Sequence, residues 1–192
     1  MRVSSEGRRM GDTSAVSIAL LLLAASLFAL CQVSQAAELR GQVIGISDGD
    51  TLTVLDATNS PHRIRLDGID APEKGQAYGT RSKDLLAALA FGKPAVVVWS
   101  KRDRYGRIVG QVHVAASPHC AGADCPPSHD VGLALIEAGL AWHYKRYQHE
   151  QRAVERGRYA RAEDEARARR VGLWQDRHPV PPWEYRGARR AG

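Results

Sequence analysis

The chain has 192 residues, 44% of them apolar and 25% charged, with a formal charge of +6. The length suits one domain with short extensions, and the composition excludes a disordered or fibrous chain. The positive balance suits a polyanionic partner through release of condensed counterions, although the charges between Arg152 and Arg170 also read as a solvated helix face interleaved with Glu and Asp.

In chain order, residues 1–36 read as a signal peptide. Arg2, Arg8 and Arg9 give a basic start, an apolar run follows from Ala15 to Leu30, and Ser34-Gln35-Ala36 supplies a small-x-small cleavage site. The expectation is a secreted or periplasmic protein starting at Ala37. An uncleaved membrane anchor is the rival reading, since the run is near the lower limit of a bilayer span; Cys31 raises a lipoprotein alternative, against which bulky Leu30 argues.

From residue 38 to residue 99 the pattern is strand-like. Leu39 to Ile46, Thr51 to Leu55 and His62 to Leu66 are three strands, the first two joined at Asp48-Gly49-Asp50 and the third ended by Asp67-Gly68. Pro72 keeps Ile69 to Glu73 a loop. Tyr78 to Phe91 predicts a helix with Leu85, Leu86 and Leu89 toward a core, stopped by Gly92. Ala95 to Trp99 and Ile108 to Val114 complete five strands.

Cys120 and Cys125 are the only cysteines after the leader, an even count in an oxidising compartment, so a local disulfide is expected. His119 and His129 flank the pair and keep a zinc site open, at a spacing that is not a standard finger.

Asp130 reads as the cap of a buried helix from Val131 to Ala138. A charged helix follows over about Glu150 to Val171, with a small-residue stripe at Ala153, Gly157 and Ala160. The proline-rich segment from His178 to Trp183 is expected to run extended, and residues 187–192 form a short tail. The fold class is therefore α+β, a five-stranded OB-fold β-barrel with three packed α-helices, in a domain spanning residues 38–186.

Three segments carry chemistry: Asp48 to Thr51, Ile64 to Glu73, and Asp103-Arg104-Tyr105-Gly106-Arg107. Each lies at a strand end or turn, where side chains from separate segments converge on one rim. Asp50, Asp70 and Glu73 are carboxylates suited to a hard cation such as calcium or magnesium. A carboxylate activates water, and Arg65 with Arg107 can clamp a phosphate and shield its developing charge. Asp48 and Asp67 also read as residues that merely cap turns. Trp142 and Tyr144 read as core or structural rather than base-stacking.

Asp-Gly-Asp-Thr, Arg-Leu-x-Gly-Ile-Asp-Ala-Pro-Glu and Asp-x-Tyr-Gly-Arg, in this order, resemble the thermonuclease (staphylococcal nuclease-like) family. Gly139 to Tyr144, Gly172-Leu173-Trp174 and Pro179 to Trp183 extend the likeness, which covers roughly residues 39–186. The resemblance implies an OB-fold barrel, one Ca²⁺, and hydrolysis of DNA and RNA that breaks the bond to the 5′ oxygen and leaves 3′-phosphates. It implies metal ligation by Asp50, Asp70 and the Ala71 backbone carbonyl, with Glu73 as general base and Arg65 and Arg107 on the phosphate. Ala71 stands where the best-known member has Thr. Arg104, Tyr105, Lys145 and Tyr147 are the expected substrate contacts, Lys145 standing where the family has a tyrosine. The expected state is a monomer with nucleic acid as its partner. A catalytically inactive OB-type nucleic-acid-binding module of the cell envelope stays open as the alternative.

Overall fold

The computed structural model describes residues 37–115 and 126–191. The expected leader over 1–36 and the expected Cys120–Cys125 disulfide, with the His119 part of its zinc alternative, lie outside the described residues. Elements appear in the order β1 (Ala37–Ile46), β2 (Thr51–Asp56), β3 (Pro61–Leu66), β4 (Ile69–Asp70), α1 (Gly79–Ala90), β5 (Pro94–Arg102) and β6 (Ile108–Val114). There follow β7 (His129–Asp130), α2 (Val131–Glu137), β8 (Trp142–His143), α3 (Ala153–Arg169) and α4 (Pro182–Ala191).

The five longer strands close into a barrel. β2 pairs antiparallel with β1 and β3, and β5 pairs antiparallel with β1 and β6. A parallel pairing of β3 with β6 shuts the cylinder, with Ile64 opposite Ile108 and Arg65 opposite Val109. Closure removes the sheet edges. It also sets the functional geometry, because it brings Arg65 and the Asp103–Arg107 turn, 42 residues apart in sequence, to the same rim.

Alternation along the strands aims Val43, Leu52, Val54, Ile64, Val97 and Val112 inward, each fully buried. Such a side chain contributes roughly 1.5–3 kcal/mol. α1 adds Leu86 and Ala90 to this core, with Leu85 and Leu89 packed at its margin as expected. Asp130 caps α2, its Oδ1 accepting the Leu133 N–H at 3.1 Å. The same carboxylate accepts the Tyr159 hydroxyl at 2.9 and 3.0 Å, which ties α3 to α2.

Two features differ from the sequence expectation. On α3 the small residues Ala153 and Gly157 are exposed, and the buried stripe is Glu155, Tyr159, Ala162, Glu163 and Ala166. Two acids inside that stripe mask its helical period; each is buried with a cationic partner, Arg152 for Glu155 and Lys145 for Glu163.

At the C-terminus the chain is irregular only to Pro181. It then forms a fourth helix, α4, which continues to residue 191 through the residues expected to be a tail. Proline is favoured in the first helical turn, where its missing N–H has no partner to lose. Glu184 in the first turn and Arg189 and Arg190 in the last suit the helix dipole. Trp183 anchors this helix, its ring 5.5 Å from Trp142 and stacked 5.6 Å from Tyr144. Among the described residues no helix is long and apolar enough to cross a membrane.

Candidate active site

A cleft of about 730 Å³ opens on the barrel rim where β3, β4, the Asp103–Arg107 turn and α4 meet. Its floor is acidic, with Asp50 and Asp70 buried, whereas its mouth is lined by exposed Lys101, Arg102, Arg104, Arg146 and Arg190. A polyanion is drawn to the mouth and a cation to the floor.

Asp50 reaches the floor from the tight β1–β2 turn. Its N–H donates to Asp48 Oδ1 at 3.1 Å, and its carbonyl accepts the Leu66 N–H at 2.8 Å. A side chain at Gly49 would collide with Ser82, so only glycine lets this turn lie against α1. The Asp50 carboxylate accepts Thr51 Oγ1 at 3.0 Å on one oxygen and the Ala71 N–H at 3.0 Å on the other. Ala71 lines the cleft beside it. Burial and the neighbouring Asp50 charge push Asp48 up to about 6.

Arg65 is held as in a vice. Nη1 donates to the carbonyls of Leu66 and Ile69 at 3.1 and 3.0 Å and lies 3.1 Å from Asp50 Oδ2, while Nη2 donates to Asp70 Oδ1 at 2.9 Å. Burial works against its charge, but Asp50, Asp70 and Asp48 outweigh that and raise its pKa. Asp70, on β4, is fully buried. Burial holds its pKa above the ordinary value despite its bonds from Arg186 and Arg65.

Glu73 follows in the loop fixed by Pro72, its N–H donating to Gln76 Oε1 at 3.0 Å. Arg107 is aimed by Asp103, whose carboxylate accepts the Arg107 backbone N–H at 3.0 Å and Nε at 2.7 Å. Some burial opposes it, but these bonds hold the Asp103 pKa below its ordinary value. Arg107 Nη1 also reaches Thr51 Oγ1 at 3.3 Å, joining this turn to Asp50's.

The expected catalytic and metal-binding residues Arg65, Glu73, Arg107, Asp50, Asp70 and Ala71 all line this one cleft, as do Arg104, Tyr105 and Tyr147. Tyr105 is two-thirds exposed, with the guanidiniums of Arg104 and Arg107 5.0 and 5.6 Å from its ring centre. Lys145 is not in the lining. The turn Lys145–Tyr147 directs it to Glu163 on α3, with Nζ 2.8 Å from the carboxylate, and it is Arg146 and Tyr144 that line the cleft instead. Tyr144 is half-buried there and packs against the Trp183 ring. Its backbone N–H donates to the Gly68 carbonyl at 2.8 Å. Gly68 sits at φ +72°, where an added side chain would collide with Gln151.

The residue missed by sequence reasoning is Arg186. From α4 its Nη1 donates to Asp70 Oδ1 at 3.1 Å and Glu73 Oε1 at 2.6 Å, and its Nη2 to Asp70 Oδ2 at 2.8 Å. The floor thus sets four carboxylates, Asp48, Asp50, Asp70 and Glu73, against two guanidiniums, Arg65 and Arg186. Among the described residues, no three acidic, histidine or cysteine side chains converge as they stand closely enough to hold an ion. The donor set is nonetheless that of a hard divalent cation, all oxygen.

A sequence model described as Staphylococcal nuclease homologue matches residues 63–176. The chain is 44% identical over 172 residues to a protein named ParB from Escherichia coli, covering 88% of this chain and 92% of that one. It is 37% identical over 170 residues to a micrococcal nuclease from Shigella flexneri, covering 88% and 93%. Against an uncharacterized endonuclease from Escherichia coli the identity is 39% over 150 residues, covering 78% and 86%. With the family match spanning more than half of the chain and these relatives aligned over most of their lengths, the chain belongs to the family of staphylococcal nuclease homologues.

Proposed function

We propose that the protein is an exported, calcium-dependent nuclease that hydrolyses phosphodiester bonds of DNA and RNA, breaking the bond to the 5′ oxygen and leaving 3′-phosphate ends. The observation that carries this reading is the convergence of Arg65, Arg107, Glu73, Asp50 and Asp70 on one cleft, with buried acids below a cationic mouth. The names of the relatives, a micrococcal nuclease and an endonuclease, support it. Export is supported by the basic start, apolar run and small-residue site of residues 1–36.

Asp50, Asp70 and the Ala71 carbonyl would hold the calcium, which when bound supplies positive charge to the phosphate and lowers the pKa of water. The chain's own groups do the rest. Glu73 takes the proton of the attacking water. Arg65 and Arg107 bind the phosphate oxygens and gain strength as negative charge accumulates there, Arg107 also lying toward the leaving oxygen. Arg104, Arg146 and neighbouring cations hold the flanking phosphates, and Tyr105 and Tyr147 offer aromatic faces to bases.

The test is cleavage of single- and double-stranded DNA and RNA with calcium, magnesium or chelator, followed by identification of the product ends. Calcium-dependent cleavage that chelator abolishes, with 3′-phosphate products, is expected. Binding without metal-dependent cleavage would establish the inactive binding module instead.

A further inference from the structure

The floor of the cleft contains a cation of its own. Arg186 makes a two-point fork on Asp70 and a third bond to Glu73, so both oxygens of one expected metal ligand and one oxygen of the expected base are engaged by a single guanidinium. Its position does not depend on those bonds alone. α4 is fixed by Trp183 against Tyr144 and Trp142, and the segment leading into it by Gln76 Nε2, which donates to the Val180 carbonyl at 2.6 Å. The arginine is therefore delivered to the carboxylates by a built contact rather than by a chance excursion of a surface side chain.

We infer that Arg186 is the resident counter-cation of the metal site and sets its affinity, occupying Asp70 and Glu73 in the metal-free protein and leaving them when a divalent cation binds. Two cations competing for the same carboxylate oxygens repel, and Asp70 has no third oxygen to offer. Arg65 does not compete in the same way, since two of its bonds go to the Leu66 and Ile69 carbonyls and hold it in place whatever happens at Asp70. Arg186 is one-third exposed, against 15% for Arg65, so it is the less enclosed of the two guanidiniums.

This inference rests on the reading of Asp50 and Asp70 as calcium ligands, and the experiment separates the two. Calcium is titrated calorimetrically into metal-stripped parent protein, Arg186→Ala, Arg186→Lys and Arg189→Ala. Arg189 serves as the control, since it carries the same charge on the same helix but lies over the Tyr185 ring, outside the cleft lining. Arg186→Ala should bind calcium about 10- to 100-fold more tightly, the range expected when a charged, multiply hydrogen-bonded competitor is removed. Arg186→Lys, which keeps the charge but loses the fork, should fall between, and Arg189→Ala should match the parent. Without metal, Arg186→Ala should melt at a lower temperature than the parent, and calcium should raise its melting temperature by more.

Unchanged or weaker calcium binding in Arg186→Ala would overturn the inference while leaving the calcium reading in place; so would a gain in Arg189→Ala equal to that in Arg186→Ala. If neither parent nor Arg186→Ala binds calcium, the metal-site reading fails and takes the inference with it.

Discussion

Two buried carboxylates, Asp70 in the cleft and Glu163 on α3, meet their cations in opposite ways. Glu163 is one acid among an excess of donors: it accepts the His143 backbone N–H at 3.1 Å and Lys145 Nζ at 2.8 Å, with Arg167 3.5 Å away. Lys145 and Arg167 are each about half exposed, so water carries part of their charge. Asp70 belongs to four acids that share two guanidiniums, and burial pushes its pKa up. The cluster with cations to spare joins β8 to α3; the one with acids to spare lies in the cleft under a cationic mouth. The difference between structure and chemistry here lies in the sign of what is left over, not in burial.

The sharpest way to test that division is to change one acid of each cluster and read both activity and stability. Glu73→Gln keeps the size of the side chain and removes the proton acceptor. Turnover at saturating calcium should fall by ~10² to 10⁴, with folding, calcium binding and DNA binding retained. Asp50→Ala should instead weaken calcium binding, so that excess metal recovers part of the lost activity, whereas no calcium concentration should rescue Glu73→Gln. Single-turnover rates across a calcium series separate the two, and a parent-like rate for Glu73→Gln would remove the base assignment.

Glu163→Ala should show the reverse pattern. It leaves the buried His143 N–H without an acceptor, which costs about 1–3 kcal/mol in urea unfolding, while turnover stays near the parent's. Glu163→Gln, which keeps an amide oxygen for that N–H, should cost less than about 1 kcal/mol. A loss of turnover in Glu163→Ala beyond what its unfolded fraction explains would erase the distinction between the clusters.

The two clusters also differed in how far they could be read from the sequence. The barrel strands were legible because β-branched alternation and Asp-Gly turns are local signals, and Asp50, Arg65, Asp70, Glu73 and Arg107 stand in short motifs at strand ends. Glu163 was hidden because a buried acid breaks the apolar period by which a helix face is recognised. Arg186 was hidden twice over. Its contact with Asp70 spans 116 residues, and the prolines before it suggested an extended chain. A signal was nevertheless there: Pro182 at the first helical position, Glu184 in the first turn and arginines in the last are the marks of a helix.

The smallest expected effect divides two adjacent cations between the two clusters. The family resemblance assigns Lys145 to the substrate, but β8 pairs Asp70 with Trp142 and Ile69 with His143, and the tight turn that follows sends successive side chains in different directions. Lys145 goes to Glu163 and Arg146 to the cleft, where it lies 5.8 Å from the Tyr147 ring. A cation that neutralises one phosphate contributes about one unit to the slope of log affinity against log salt, somewhat less on a single strand. Arg146→Ala in a Glu73→Gln background, which prevents cleavage during the titration, should weaken binding of single-stranded DNA at low salt and flatten that slope by about one unit. Lys145→Ala should leave the slope unchanged and cost at most about 1 kcal/mol of stability, since a half-exposed ammonium is screened by water and Arg167 remains beside Glu163. If Lys145→Ala flattens the slope and Arg146→Ala does not, the lysine leaves Glu163 for the substrate, and the two clusters exchange a cation when nucleic acid binds.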